Sequence, residues 1–212
     1  MVVIAFDVNE TLLDLQPLDE ILGGRETRTR WFAQMLQVAL VGGVTGDYVD
    51  FPTAQRNALH MLGLDHAEAI AATMRRLPAH PDAAPALERL GDFTLAALTN
   101  SPLEVAHEQL ESARLSAYFD AILSADEVRA LKPAAAAYRH LADHFGVALD
   151  DVWLVAAHGW DIAGALTAGC HGAFVRRPGQ AVIPAFGTPE IVGDDLLQVA
   201  DAIRGTAPTL GA

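Results

Sequence analysis

The chain has 212 residues, 51% of them hydrophobic, one cysteine and a formal charge of −13 at pH 7. That length suits one packed core with room for a smaller insertion, and no apolar run approaches the roughly 18 residues of a membrane span. The lone Cys170 rules out an intrachain disulfide framework and fits a reducing cytoplasm; the acidic excess argues against a nucleic-acid partner, though not against a small anionic substrate that feels only the local field of a pocket.

The first stretch, Val2-Val3-Ile4-Ala5-Phe6, is an unbroken apolar run of the kind found in a strand buried on both faces of a parallel sheet. No charged leader precedes it, so no signal peptide is expected. The run stops at a carboxylate, Asp7, with Thr11 four residues on. Ligands of open α/β sheets bind beyond the carboxyl ends of the strands. Asp7 therefore reads either as a nucleophile or as a cap for the next turn.

Helical spacing follows. Trp31, Phe32, Met35, Leu36, Ala39 and Leu40 predict a helix over about 29–41, ended by Gly42-Gly43. A second helix is expected after Pro52 and a third over 67–77. Leu77-Pro78-Ala79-His80-Pro81 reads as a hinge, since paired prolines stop helices and strand ladders alike. Residues 15–78 are thus expected to form an all-helical insertion, with 1–14 and 79–204 as the core domain.

Beyond the hinge the pattern alternates. Helices are expected at 83–90, 103–113, 134–145 and on to Gly169, and strands at 93–98, 121–123, 152–156 and 173–175. An edge strand at Ile191-Val192, a helix over 195–204 and a disordered tail over 205–212 complete the expectation. This order predicts a parallel sheet with helices on both faces.

Asp7, Thr99 with Asn100, and the 158–161 group all follow apolar strands, and Lys132 sits just before a helix. They should converge on one sheet edge. A carboxylate, a hydroxyl, an amide, an ammonium and a second carboxylate together make a nucleophilic site. His140 and His144 have a spacing that suits zinc but lack a third ligand, so no metal site is assigned to them.

The motifs that carry these residues resemble the haloacid dehalogenase superfamily, and within it the type II (S)-2-haloacid dehalogenases. Phe6-Asp7-Val8-Asn9-Glu10-Thr11-Leu12 matches the first motif, Leu98-Thr99-Asn100 the second, Lys132-Pro133 the third and Ala156-Ala157-His158-Gly159-Trp160-Asp161 the fourth. The resemblance implies a Rossmann-like doubly wound parallel sheet with an all-helical cap inserted after the first strand. It implies Asp7 as nucleophile, Lys132 keeping it ionised, Thr11 and Thr99 donating hydrogen bonds to it or to a substrate carboxylate, and Asp161 pairing with Lys132. Val8 and Asn9 would adjoin the substrate, Asn100, Trp160 and Phe51 would surround a departing halide, and Tyr138 would lie near the ester and lysine. A homodimer is compatible with the Trp31–Leu40 stripe.

Two positions separate dehalogenase from phosphatase. The superfamily's phosphatases carry a general-acid Asp two residues after the nucleophile, where this chain has Asn9, and a Mg²⁺-binding Asp where it has Ala157. A halide leaves without a proton, so its displacement needs neither group. The reading is hydrolysis of short 2-haloacids with no cofactor and no metal; a Mg²⁺-dependent phosphatase and a catalytically silent binding protein are the alternatives. Three departures stand out. Phe32 occupies the position of a cap arginine, leaving Arg28 or Arg30 to replace it, and Arg30 is taken as the substrate-side candidate. Ala156 and His158 replace a serine and an asparagine, and His158 is the candidate for handling the hydrolytic water.

Overall fold

The computed structural model describes residues 1–206. Six parallel strands, β1 (Val3–Phe6), β2 (Thr94–Thr99), β3 (Ala121–Ser124), β4 (Val152–Ala156), β5 (His171–Val175) and β6 (Ile191–Gly193), form one sheet in the order β3-β2-β1-β4-β5-β6. Within each strand alternate residues join different apolar clusters. Ile4, Phe6, Leu95, Ala97, Trp153 and Val155 belong to one face, and Val3, Ala5, Ala96, Leu98, Leu154 and Ala156 to the other. That two-sided burial is why these strands read as continuous apolar runs.

Five helices lie between β1 and β2, and the first four are α1 (Leu18–Leu22), α2 (Arg25–Thr45), α3 (Phe51–Leu62) and α4 (Ala67–Met74). Their buried residues, among them Trp31, Phe32, Met35, Phe51 and Ile70, share one apolar cluster with the first sheet face. The remaining helices are α5 (Ala83–Arg89), α6 (Leu103–Ser112), α7 (Ala135–Phe145), α8 (Gly159–Ala168) and α9 (Leu196–Thr206). Leu87, Leu110 and Val199 place α5, α6 and α9 on that same face, whereas Tyr138, Leu141, Ile162 and Ala165 place α7 and α8 on the other.

Three expectations need correction. α2 does not stop at Gly42-Gly43 but continues to Thr45. A side chain at Gly42 would put Cβ 2.7 Å from the Asp47 carbonyl oxygen, so this glycine serves the close return of the chain rather than the end of the helix. The short α1 was not anticipated as a separate element. The last helix runs through Gly205 and Thr206, which were expected in the tail, and residues 207–212 lie outside the described residues. No helix among the described residues is long and apolar enough to cross a membrane.

The strand order places a topological switch at β1, which pairs with β2 on one side and β4 on the other. The chain leaves β1 toward β3 and later returns to β4, opening a crevice beyond the carboxyl ends of these strands.

Candidate active site

Asp7, one residue past β1, is 4% exposed. Its backbone N–H still donates to the Val155 carbonyl (3.0 Å), so the sheet itself holds this carboxylate at the crevice. Lys132 Nζ lies between two carboxylates, donating to Asp7 Oδ1 (2.9 Å), Asp161 Oδ2 (2.6 Å) and the Leu98 carbonyl (2.8 Å). All three ammonium hydrogens are thereby used.

On the opposite carboxylate oxygen, Thr11 Oγ1 donates to Asp7 Oδ2 (2.8 Å) and itself accepts from the Ala157 N–H (2.9 Å). Tyr138 donates to Asp161 Oδ1 (2.7 Å). This contact depends on Gly164, where a Cβ would sit 2.5 Å from the Tyr138 hydroxyl. The bare backbone there lets α8 approach α7 closely enough for the phenol to reach.

His158 ties the site to a residue the sequence did not single out. Its Nδ1 is 3.0 Å from Asp7 Oδ2 and its Nε2 is 3.0 Å from Glu10 Oε2. Facing a carboxylate oxygen with each nitrogen, the ring makes both hydrogen bonds as an imidazolium. Phe32 stacks on one face at 5.1 Å and Trp160 on the other at 5.0 Å, a geometry that also suits a cation. The side chain at the arginine position has thus become one wall of a histidine cage.

Glu10 adopts a left-handed backbone conformation, φ 62°, which costs a non-glycine residue about 1–2 kcal/mol. Its carboxylate also accepts from Arg28 (2.8 Å) and Gln180 (2.7 Å). In the sequence Glu10 was marked only by its place inside the first motif.

These contacts set the ionisation states. Burial opposes the charge on Asp7, but Lys132 and His158 outweigh it and hold the carboxyl far below its ordinary range. Burial likewise opposes the charge on His158, yet Asp7 and Glu10 push its pKa up to about 9. Glu10 is lowered against its burial by His158 and Arg28. Lys132 is raised against its burial by Asp161 and Asp7. Asp161 moves up, because burial and the neighbouring Asp7 charge outweigh Lys132.

A pH dependence of stability follows. His158 sits above its ordinary 6.5, so its contribution is whole below 6.5 and is lost as pH rises through about 9. Asp7 and Glu10, both lowered, contribute above their ordinary 3.8 and 4.5 and lose that contribution in acid. Through His158 the melting temperature is therefore expected to decline as pH rises from 6.5 toward 9. Calorimetry across that range checks this, and a melting temperature unchanged from 6.5 to 9 would show that no buried imidazolium is present.

Other expected residues sit differently from the sequence reading. Thr99 Oγ1 accepts from the Ser101 N–H (3.1 Å) instead of reaching Asp7. Asn100 brackets the Lys132 peptide, accepting from its N–H (2.7 Å) and donating to its carbonyl (3.1 Å). Asn9 donates to Ser101 Oγ (3.2 Å) and accepts from Gln109 Nε2 (3.0 Å), which tethers it to α6. Val8 is fully buried, with its carbonyl accepting from Leu12 and Leu13. Phe51 is buried at the start of α3 within the apolar cluster.

Arg30 is the clear correction. It is exposed, and the arginine that reaches the site is Arg28, paired with Glu10 and with Asp19 (2.6 Å). Residues two apart on a helix point roughly 200° apart, so only one of the pair could face inward.

A cavity of about 180 Å³ borders His158 and is also lined by Phe32, Trp160, Glu10, Arg28 and Gln180. The Trp160 Nε1–H is buried and has no hydrogen-bond partner. The Mg²⁺ of a phosphatase does not fit these donors. Ala157 offers no side-chain oxygen, Asn9 is committed elsewhere, and the ammonium of Lys132 bridges the two nearest carboxylates. Among the described residues no group of three or more His, Cys, Asp or Glu is placed to hold a metal.

The model of the haloacid dehalogenase-like hydrolases matches residues 1–169. The chain belongs to that family. It is 30% identical over 194 residues to the (S)-2-haloacid dehalogenase of Xanthobacter autotrophicus, covering 85% of this chain and 77% of the relative. It is 28% identical over 216 residues to haloacetate dehalogenase H-2 of Moraxella sp. (strain B), covering 94% and 95%. Its fold matches the L-2-haloacid dehalogenase of Xanthobacter autotrophicus with chloropropionic acid covalently bound, at a TM-score of 0.86 and 26% identity, over 98% of this chain and 100% of that one. Family membership and the parallel-sheet architecture thus stand as the motifs implied.

Proposed function

We propose that the protein is a hydrolytic dehalogenase that converts short (S)-2-haloalkanoic acids to (R)-2-hydroxy acids and halide through an ester on Asp7. The observation that carries this reading is the state of Asp7: a buried, ionised carboxylate held by Lys132 and Thr11, with no proton donor at residue 9 for a leaving alkoxide. Displacement of halide from carbon uses such a nucleophile and asks for no acid. Relatives named as haloacid dehalogenases, one solved with chloropropionic acid covalently bound, support the same chemistry.

In the first step an Asp7 oxygen bonds to C2 from the side opposite the halogen, and the halide departs with the bonding pair, inverting the centre. In the second, water adds to the Asp7 carboxyl carbon and the 2-hydroxy acid leaves. Lys132 and Thr11 orient the carboxylate for both steps, and Asp161 anchors Lys132. The positive charges of His158 and Arg28 beside the cavity, with the unpartnered Trp160 Nε1–H, favour an anion there despite the chain's charge of −13. Leu40, Val41 and Val44 on α2 are exposed and apolar, a face that supports assembly as a homodimer.

Halide release from chloroacetate and the two enantiomers of 2-chloropropionate, measured with and without EDTA, tests this reading. Release from the (S) enantiomer, resistant to EDTA, is expected. Phosphate release that requires Mg²⁺ would favour the phosphatase, and silence in both assays a binding protein.

A further inference from the structure

Glu10 is not one of the residues that the four motifs put to use, yet the structure invests heavily in its position. It keeps a left-handed backbone, and its carboxylate gathers His158 from the start of α8, Arg28 from α2 and Gln180 from the segment after β5. Phe32 and Trp160 stack on the imidazole, and its two nitrogens face Asp7 and Glu10. Nδ1 is therefore aimed at the Asp7 carboxyl, the group that water must attack if an ester forms there.

We propose that Glu10 is the positioning residue of a charge switch: while Asp7 is free, the Glu10–His158–Asp7 bridge keeps the imidazole protonated, and esterification of Asp7 releases Nδ1 to act as base while Glu10 still holds Nε2. The proposal rests on the dehalogenase reading. Its logic is electrostatic. A base already protonated cannot take a proton from water, and His158 between two carboxylates is such a group. Forming the ester cancels the charge of Asp7 and lowers the proton affinity of the ring at the moment a base is needed. The charged groups around His158 are Asp7 and Glu10 in direct contact, with Arg28 behind Glu10 and Lys132 and Asp161 behind Asp7.

The protons balance. Ester formation expels halide, and the imidazolium then yields its Nδ1 proton to solvent in the cavity that the ring lines, while Nε2–H stays on Glu10. The neutral ring takes a proton from water as the water oxygen bonds to the Asp7 carboxyl carbon. Collapse breaks the bond from that carbon to the substrate oxygen, and the departing alkoxide takes the proton of the new carboxyl group. Asp7 is again a carboxylate facing an imidazolium, and one proton and one halide have been released per turnover.

The test has two parts. In histidine-labelled protein, with the His158 resonance assigned through His158→Asn, NMR titration is run on wild type, Asp7→Asn and Glu10→Gln. Asparagine is a neutral stand-in for the ester, and both variants are expected to titrate His158 at lower pH than wild type. With (S)-2-chloropropionate, Glu10→Gln is expected to keep the first-turnover burst of halide. Its kcat should fall by about 10²-fold, an Asp7 adduct should accumulate in mass spectra, and the acid limb of kcat should move to lower pH. An unchanged His158 titration in Asp7→Asn overturns the switch whatever the activity. Equal loss of burst and turnover in Glu10→Gln, without adduct, overturns the role of Glu10. Absence of halide release by wild type would instead remove the dehalogenase reading and the base role with it, and the titration would still decide whether the bridge exists.

Discussion

Asp7→Asn is expected to lower halide release by at least about 10⁴-fold, with no burst in the first turnover. The amide is nearly the same size as the carboxylate, so packing is preserved and the loss reports chemistry. An amide oxygen carries no formal charge and is a poor nucleophile toward carbon. The substitution also places an NH₂ group among donors, since Lys132, Thr11 and His158 all point at Asp7. One of those hydrogen bonds must break. Quenched-flow measurement of halide from (S)-2-chloropropionate reads the burst directly. A variant that keeps a tenth of wild-type turnover would assign the nucleophile elsewhere.

Lys132→Met is expected to damage both stability and activity. The side chain is 2% exposed and its ammonium stands between two buried carboxylates. Methionine fills similar space but leaves Asp7 and Asp161 facing each other without a cation. Breaking a buried pair by removing one partner typically costs about 3–5 kcal/mol. Urea denaturation should show that loss as a lower midpoint with an unchanged slope. Activity should fall for a second reason: Lys132 helps hold the Asp7 carboxyl low, so without it the nucleophile is protonated over a wider acid range. The acid limb of kcat/KM should therefore move to higher pH. A loss of less than 1 kcal/mol, on the order of a surface pair, would mean that the ammonium is not buried between the two carboxylates.

The residues of the site differ in how far they could be read from the chain. Asp7, Thr11 and Asp161 were legible because each follows an apolar run, and a parallel sheet brings the ends of such runs to one edge, whereas Lys132 was legible from its place before a helix. Tyr138 was placed near the lysine only through the family resemblance, and its contact with Asp161 only by the folded chain. Asn9 and Asn100 were legible as neighbours of the site, but their amides serve Ser101, Gln109 and the Lys132 peptide. Those partners are distant in sequence, and a side-chain amide carries no mark of which partner it will take.

The arginine was misjudged for a different reason. Arg28 and Arg30 lie two apart on α2, and the choice between them depends on the phase at which that helix packs. The helix begins after Gly24 and buries Trp31, Phe32 and Met35, which turns Arg28 and Phe32, one turn apart, toward the same cavity. Arg30 is left in solvent.

Residue type and spacing therefore determined a parallel α/β fold and a carboxylate at the end of its first strand, because these depend on local pattern and on where strands end. The cage around His158 required the folded chain. Glu10, Phe32 and Trp160 come from three separate segments, and only their meeting in space makes the imidazole a buried cation rather than a free base. Charge states in a buried cluster are set by neighbours a few ångströms away, whatever their separation along the sequence.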